Sequence, residues 1–199
     1  MLRRRRLAGG WSLTGPGTRR SIAAMAGGVP EVLSVPGEQY EVRLVEPGSG
    51  SSGRLVSEWS VASFAGPPPH RHPAMTESWE VLAGRMRVTL DGVTTEIGPG
   101  ERASAAPGVV HSFEKAGGGV LSWRQTNEPP LQHELLYRLE VRRALRRGAT
   151  GQPGPLLLAR MLAASDAVFV GPPVAAQRVL VALGRWLNRR DGTTAHLAA

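Results

Sequence analysis

Three histidines and one glutamate have the residue types and spacing to hold a divalent metal ion: His70, His72, Glu77 and His111. In an extended chain, residues i and i+2 point the same way, so His70 and His72 can present both imidazoles to one cavity. Glu77 would begin the next strand and could add a carboxylate, while His111 could close the set from a different strand. Three neutral imidazoles and a carboxylate suit a first-row divalent ion with one or two positions left for water or substrate.

The elements that must position these residues are short strands. From Gln39 onward, alternating runs are separated by Gly and Pro, which is typical of β-structure. The pair Asp91-Gly92 predicts a tight hairpin, because Gly adopts positive φ at no steric cost. The regular spacing of the runs favours a sandwich or a small barrel. The predicted strands cover residues 40–44, 55–64, 85–90, 93–97, 109–114 and 120–125.

After Pro130 the hydrophobic period changes from 2 to about 3.6, which predicts helices. The first runs to about residue 147, with an apolar face made by Leu131, Leu135, Leu136, Leu139 and Leu145. Pro155 opens a second helix over residues 156–169, and Pro172 or Pro173 opens a third over residues 174–188. We expect these helices to pack against the barrel or a partner subunit. Attachment to a membrane surface through their basic faces is the alternative.

Composition excludes several classes of site and partner. The 199-residue chain has no cysteine, so disulfides, zinc-thiolate sites and thiol nucleophiles are excluded. Its net charge of +8 is concentrated at the two ends, because residues 29–128 carry eight basic and twelve acidic side chains. That distribution does not favour nucleic-acid binding. No apolar run reaches the roughly 18 residues of a membrane span, so we expect a soluble, cytoplasmic protein without membrane association.

The chain divides into three predicted segments. Residues 1–28 carry six Arg and no acid, and we expect a disordered basic tail, with Met25 as an alternative start; a transit peptide or twin-arginine leader is the competing interpretation. Residues 29–128 hold the β-domain and residues 129–199 a helical extension. His133 and His196 lie outside the β-domain, and we expect both to be surface residues.

The order and spacing of the candidate ligands resemble the two motifs of the cupin superfamily. His70-Arg71-His72 is flanked by Pro, Glu77 follows five residues later, and a Gly turn precedes His111. The resemblance covers about residues 39–126. It implies a mainly β fold, namely a single cupin β-barrel (double-stranded β-helix or jelly roll) with a C-terminal α-helical appendage. It also implies that His70, His72, Glu77 and His111 are ligands of one divalent transition metal, Fe, Mn, Ni, Co, Cu or Zn, and that Gly84 and Gly100 are turn glycines.

Some positions depart from the cupin pattern. Phe64 stands where the first motif has Gly, with Gly66 displaced, and Pro107 is shifted by one position before His111. Lys115 replaces the usual Asn after the last His. The segment 172–178 (PPVAAQR) resembles one that precedes the last helix of small cupin proteins. None of these departures removes a ligand.

The function that this pattern favours is a metal-dependent enzyme, an oxygenase acting on a small organic molecule, with Trp79 and Val81 as an apolar wall beside Glu77. A non-catalytic small-molecule sensor or binding protein is the alternative, because a fold does not decide activity. A sugar isomerase or epimerase is a further alternative, and it requires Arg87 and Arg124 to face the pocket. No catalytic residue is assigned. Exposed sheet edges and the leucine stripe favour a homodimer.

Overall fold

The structure is a computed structural model that describes residues 31–148 and 150–190. Ten strands precede the first helix, and a short eleventh strand lies between the second and third helices. The strands are β1 (Glu31–Ser34), β2 (Tyr40–Glu46), β3 (Leu55–Val61), β4 (His70–Arg71), β5 (Thr76–Ala83), β6 (Arg85–Leu90), β7 (Val93–Ile97), β8 (Arg102–Ala105), β9 (His111–Ala116), β10 (Leu121–Glu128) and β11 (Val168–Phe169). The helices are α1 (His133–Arg147), α2 (Pro155–Ser165) and α3 (Val174–Arg190).

The strands form two antiparallel sheets. One has the order β1-β2-β3-β10-β5-β8 and the other the order β11-β4-β9-β6-β7. Alternate residues of β5 and β10 are buried, as the period-2 pattern requires when one face of a strand covers a core. The predicted mainly β fold with a C-terminal helical appendage is confirmed.

Aromatic side chains connect the first helix to the barrel core. Trp59 of β3 stacks on Trp123 of β10 with a centroid separation of 5.4 Å. Tyr137 of α1 meets Trp59 edge-on at 5.0 Å, and Tyr137, Val141 and Ala144 belong to the same buried cluster as the barrel residues. Helix α1 therefore packs on the barrel, as the sequence favoured.

The start and the buried face of α1 differ from the sequence prediction. Leu131 precedes the helix with φ of 46° and is exposed, and Leu145 is also exposed. His133 begins the helix and is only 2% exposed, so the expectation that it is a surface residue is wrong. A pattern that counts apolar residues alone misses this face, because it also buries His133, Glu134 and Arg143.

The prediction of one helix over residues 156–169 is wrong at its C-terminal end. Helix α2 ends at Ser165, and Asp166 adopts a left-handed conformation with φ of 50°. A short polar side chain tolerates that conformation better than most, and it ends the helix. Val168 and Phe169 then pair with Arg71 and His70 as strand β11. The third helix, in contrast, begins at Val174 as predicted.

The turns are placed as predicted, whereas several strand bounds differ. Gly84 and Gly100 both have positive φ, and Asp91-Gly92 joins β6 to β7. The predicted strands over 55–64, 109–114 and 120–125 are shifted or shortened to β3, β9 and β10. Within residues 31–148 and 150–190, no helix is long and apolar enough to cross a membrane. The expectations for residues 1–28, Met25 and His196 lie outside the described residues.

Candidate metal centre

The structure brings the four predicted ligands together in one buried cluster. Their candidate ligand atoms all lie within 4.8 Å of one another: His70, His72, Glu77 and His111. His70 of β4 pairs directly with His111 of β9, and Glu77 enters from β5 of the other sheet. Each of the four residues is at most 4% exposed. The cluster therefore lies between the two sheets, where water competes little for a cation.

Backbone carbonyls orient two of the imidazoles. His70 Nδ1 donates to the Pro68 carbonyl over 2.9 Å, and His111 Nδ1 donates to the Val109 carbonyl over 3.0 Å. Because a carbonyl can only accept, Nδ1 carries the proton in both rings. In a neutral ring Nε2 then has a free lone pair, which is how metal-bound histidines are usually held.

Glu77 lies against two of these imidazoles. Its Oε2 is 3.0 Å from His111 Nε2 and 3.2 Å from His72 Nε2. Burial alone would raise the pKa of Glu77, but hydrogen bonds from His111 and His72 outweigh it and hold that pKa well below its usual range. Burial lowers the pKa of His111, but the Glu77 carboxylate outweighs this and raises it. Two electron-pair donors at this distance need a proton or a cation between them, so the residues fit a metal.

For His70 and His133, unlike His111, the effect of burial decides the pKa. Desolvation lowers the pKa of His70 to about 4, although Glu77 opposes the shift. Desolvation and the neighbouring His72 lower the pKa of His133 to about 3. Both rings are therefore neutral at pH 7, and neutral imidazole is the form that binds a metal.

Three residues next to the cluster were not predicted from the sequence. Gln125 of β10 donates from Nε2 to Glu77 Oε1 and accepts from Trp123 Nε1, so it holds the carboxylate in place. The ring of His133 lies 5.2 Å from that of His72, and Phe169 of β11 stacks on His70 at 5.4 Å and 29°. For Gln125 the inward parity of β10 was an available signal.

A cavity of about 560 Å³ opens from the cluster. It is bounded by the barrel on one side and by α1, α2 and β11 on the other, and its lining includes His70, His72 and Glu77. Gly66 makes this edge possible, because a Cβ there would lie 1.6 Å from the Phe113 carbonyl oxygen. A volume of this size is typical of small-molecule sites.

The residues suggested for substrate contact lie elsewhere. Trp79 and Val81 face inward but belong to the buried barrel core, with the Trp79 ring 5.5 Å from that of His111. Arg87 pairs with Glu114 at 2.7 Å, and Arg124 pairs with Glu58 at 2.8 Å. Both guanidinium groups lie on the partly exposed outer face. The basic pocket that a sugar isomerase requires is therefore not formed by these two arginines.

Comparison with known proteins supports a family assignment for part of the chain. Residues 58–124, about a third of the chain, match the family model described as the cupin domain. Curated proteins give no significant sequence match.

Similar solved structures include KdgF from Halomonas sp., with 17% identity, a TM-score of 0.39 and coverage of 45% of this chain and 79% of that one. A conserved protein with a double-stranded β-helix domain from Klebsiella pneumoniae has 20% identity, a TM-score of 0.38 and coverage of 53% and 82%. A sugar phosphate isomerase of the cupin superfamily from Silicibacter pomeroyi has 17% identity, a TM-score of 0.41 and coverage of 45% and 59%. The stretch that matches the cupin domain, residues 58–124, contains all four cluster residues.

Proposed function

We propose that this chain is a metal-dependent cupin that binds a small organic molecule at one divalent transition ion, and that its reaction is an oxygenation. The observation that carries the proposal is the convergence of three imidazoles and a carboxylate within 4.8 Å at the floor of a cavity. His70, His72 and His111 would bind the ion through nitrogen and Glu77 through oxygen.

The surrounding residues have separate roles in this proposal. The Pro68 and Val109 carbonyls hold two imidazole rings in place, and Gln125 fixes the second oxygen of Glu77. When bound, the ion would supply a Lewis acid with open positions for a bidentate substrate and for O2. The helices and barrel residues that line the cavity would limit the access of water to the bound ion.

Metal content tests the first step. Protein purified without a nickel column should contain close to one divalent ion per chain by elemental analysis. The double variant His70→Ala/His72→Ala should lose it, because removing two ligands destroys the chelate. Arg71→Ala is the matched control, since Arg71 lies between the two histidines but is exposed. If wild-type protein takes up no Fe(II), Mn(II), Ni(II) or Zn(II), the proposal is wrong.

Oxygen consumption tests the reaction class. The Fe(II)-loaded protein, screened with candidate organic substrates, should consume O2 in a substrate-dependent way that the double variant lacks. Saturable substrate binding without turnover would instead identify a sensor or binding protein. We also propose that the protein works in the cytoplasm as a homodimer. A light-scattering mass equal to one 21.2 kDa chain at micromolar concentration would contradict the dimer.

A further inference from the structure

One whole face of helix α1 contributes to the cavity beside the metal centre. His133, Leu136, Tyr137, Glu140 and Arg143 all contribute to its lining. These residues follow the i, i+3, i+4, i+7, i+10 spacing of one helix face. Ten residues separate the first from the last, which corresponds to about 15 Å along a helix axis. The cavity lining therefore reaches from the metal cluster to the Arg143 region.

Between these ends the cavity wall is mainly apolar and aromatic. Helix α2 contributes Leu158, Met161 and Leu162, and the barrel contributes Trp59, Phe113 and Trp123. Phe64, which stands where the cupin pattern has Gly, also lines the cavity, with its ring 5.6 Å from that of Phe113 and 5.2 Å from that of Trp123. Both this departure from the family pattern and the helical extension thus add apolar surface to the cavity.

The charge of Arg143, in the part of the cavity far from the metal cluster, is neutralised within the protein. Arg143 is the one basic side chain among the described residues that line the cavity. It donates to Glu140 Oε1 over 2.7 Å, and to the carbonyls of Gly148 and Gly151. Glu140 also accepts from the Tyr40 hydroxyl over 3.3 Å. This end therefore balances its own charge and does not require a charged group from a ligand.

We propose that the ligand of this site is an amphipathic small molecule, with an oxygen-donor head at the metal and an apolar carbon body along α1. This inference rests on the proposed function for the head and on the cavity wall for the body. A sugar or a phosphate ester fits the wall poorly, because buried hydroxyl or phosphate groups need polar partners that the apolar residues do not offer. An apolar body instead gains from leaving water.

Two hydroxamates of different length test the proposal on full-length, Zn(II)-loaded protein by calorimetry. Octanohydroxamate and acetohydroxamate share one bidentate oxygen head, and the first adds six methylenes. Each fully buried methylene strengthens binding about fourfold, so even partial burial should make octanohydroxamate at least about 100-fold tighter. Glucose 6-phosphate should bind more weakly than either. A difference below about threefold between the hydroxamates, or tighter binding of glucose 6-phosphate than of octanohydroxamate, would overturn the proposal.

Two leucine variants on α2 distinguish binding of the ligand's apolar body by the cavity wall from binding of its head at the metal. Leu162→Gln places a polar group in the wall, and it should weaken octanohydroxamate at least about fivefold while leaving acetohydroxamate unchanged. Leu156→Gln is the matched control, because Leu156 is 60% exposed and does not line the cavity. Equal behaviour of the two variants toward octanohydroxamate would contradict the proposed position of the body.

A metal-free measurement distinguishes failure of this inference from failure of the proposed function. The uncharged fluorophore N-phenyl-1-naphthylamine needs no metal, and it should bind the metal-free protein saturably at one site and more weakly to Leu162→Gln. If the protein loads no metal but binds this probe, the proposed function fails and the apolar ligand class stands. The ligand class is wrong if the protein loads metal but does not bind the fluorophore and also binds octanohydroxamate no more tightly than acetohydroxamate.

Discussion

Gln177 ties strand β11 to the start of helix α3, and β11 in turn pairs with the strand that carries His70, so removal of this side chain tests how the extension supports that strand. Its Oε1 accepts from the Phe169 amide, and its Nε2 donates to the carbonyls of Phe169 and Pro172, each over 2.9 Å. The side chain is 8% exposed. Through these bonds it fixes β11, which pairs with β4 and places Phe169 on His70.

We expect Gln177→Ala to lower the free energy of unfolding by about 3 kcal/mol, because three hydrogen bonds contribute about 1 kcal/mol each. For a domain of this size the melting temperature should fall by about 6–12 °C. The pairing of β11 with β4 and the bond from the Val170 amide to the Pro69 carbonyl remain, so the barrel itself should stay folded. Metal affinity should fall about tenfold, a loss typical when groups supporting a ligand are removed.

Urea unfolding gives the stability change, and competition with a chelator gives the metal affinity. Hydrogen exchange at the Phe169 and Val170 amides reports whether β11 opens locally. Arg178→Ala is the control, because Arg178 is the exposed neighbour on the same helix and should change none of these quantities. A change in unfolding free energy below about 0.5 kcal/mol, with unaltered exchange at Phe169, would refute the role assigned to Gln177.

Three further changes test the site and the helix packing. Glu77→Gln should weaken metal binding at least about tenfold, whereas Glu80→Gln on the outer face of the same strand should not. Because the pKa of His111 is raised, its contribution to the stability of the metal-free protein is present at low pH and lost as pH rises through that pKa. Metal uptake below that pKa should release the proton from His111, which calorimetry in two buffers measures. Gly184→Ala should lower the melting temperature, although Ala normally favours a helix, because its Cβ would lie 1.9 Å from the Ala159 carbonyl oxygen.

The metal cluster could be predicted largely because residue type and strand parity can be read from short stretches of sequence. His70 and His72 share a face by strand parity, and the inward position of Glu77 follows from the same rule within β5. His111 was expected to close the set from a different strand, which the family resemblance also implied, and its pairing with His70 across β4 and β9 brings it to the cluster. Residue type and strand parity were sufficient to find His70, His72 and Glu77, because the residue types that bind metals are few and parity selects those that point inward.

The surroundings of the cluster could not be predicted in the same way, because they depend on contacts between distant segments. His133 lies on a helix face that a count of apolar residues assigns to Leu131 and Leu145 instead. Phe169 lies near the end of an apolar run that follows α2 in the sequence, and only the left-handed Asp166 and the next residue, Ala167, separate the two elements. An Asp before a short β-branched and aromatic pair was the available signal.

The helical extension is part of the site, although the family match ends before it. Strand β4 has only two residues, and β9 and β11 pair with it on opposite sides. Without β11, the strand that carries His70 would form the sheet edge, where unpaired backbone groups are open to water and to other chains. Phe169, His133 and the α2 leucines come from beyond residue 124, yet they contact His70, His72 or the cavity wall. The extension therefore pairs with the strand that carries His70 and forms one wall of the cavity, so the candidate metal cluster and the cavity belong to one structural unit.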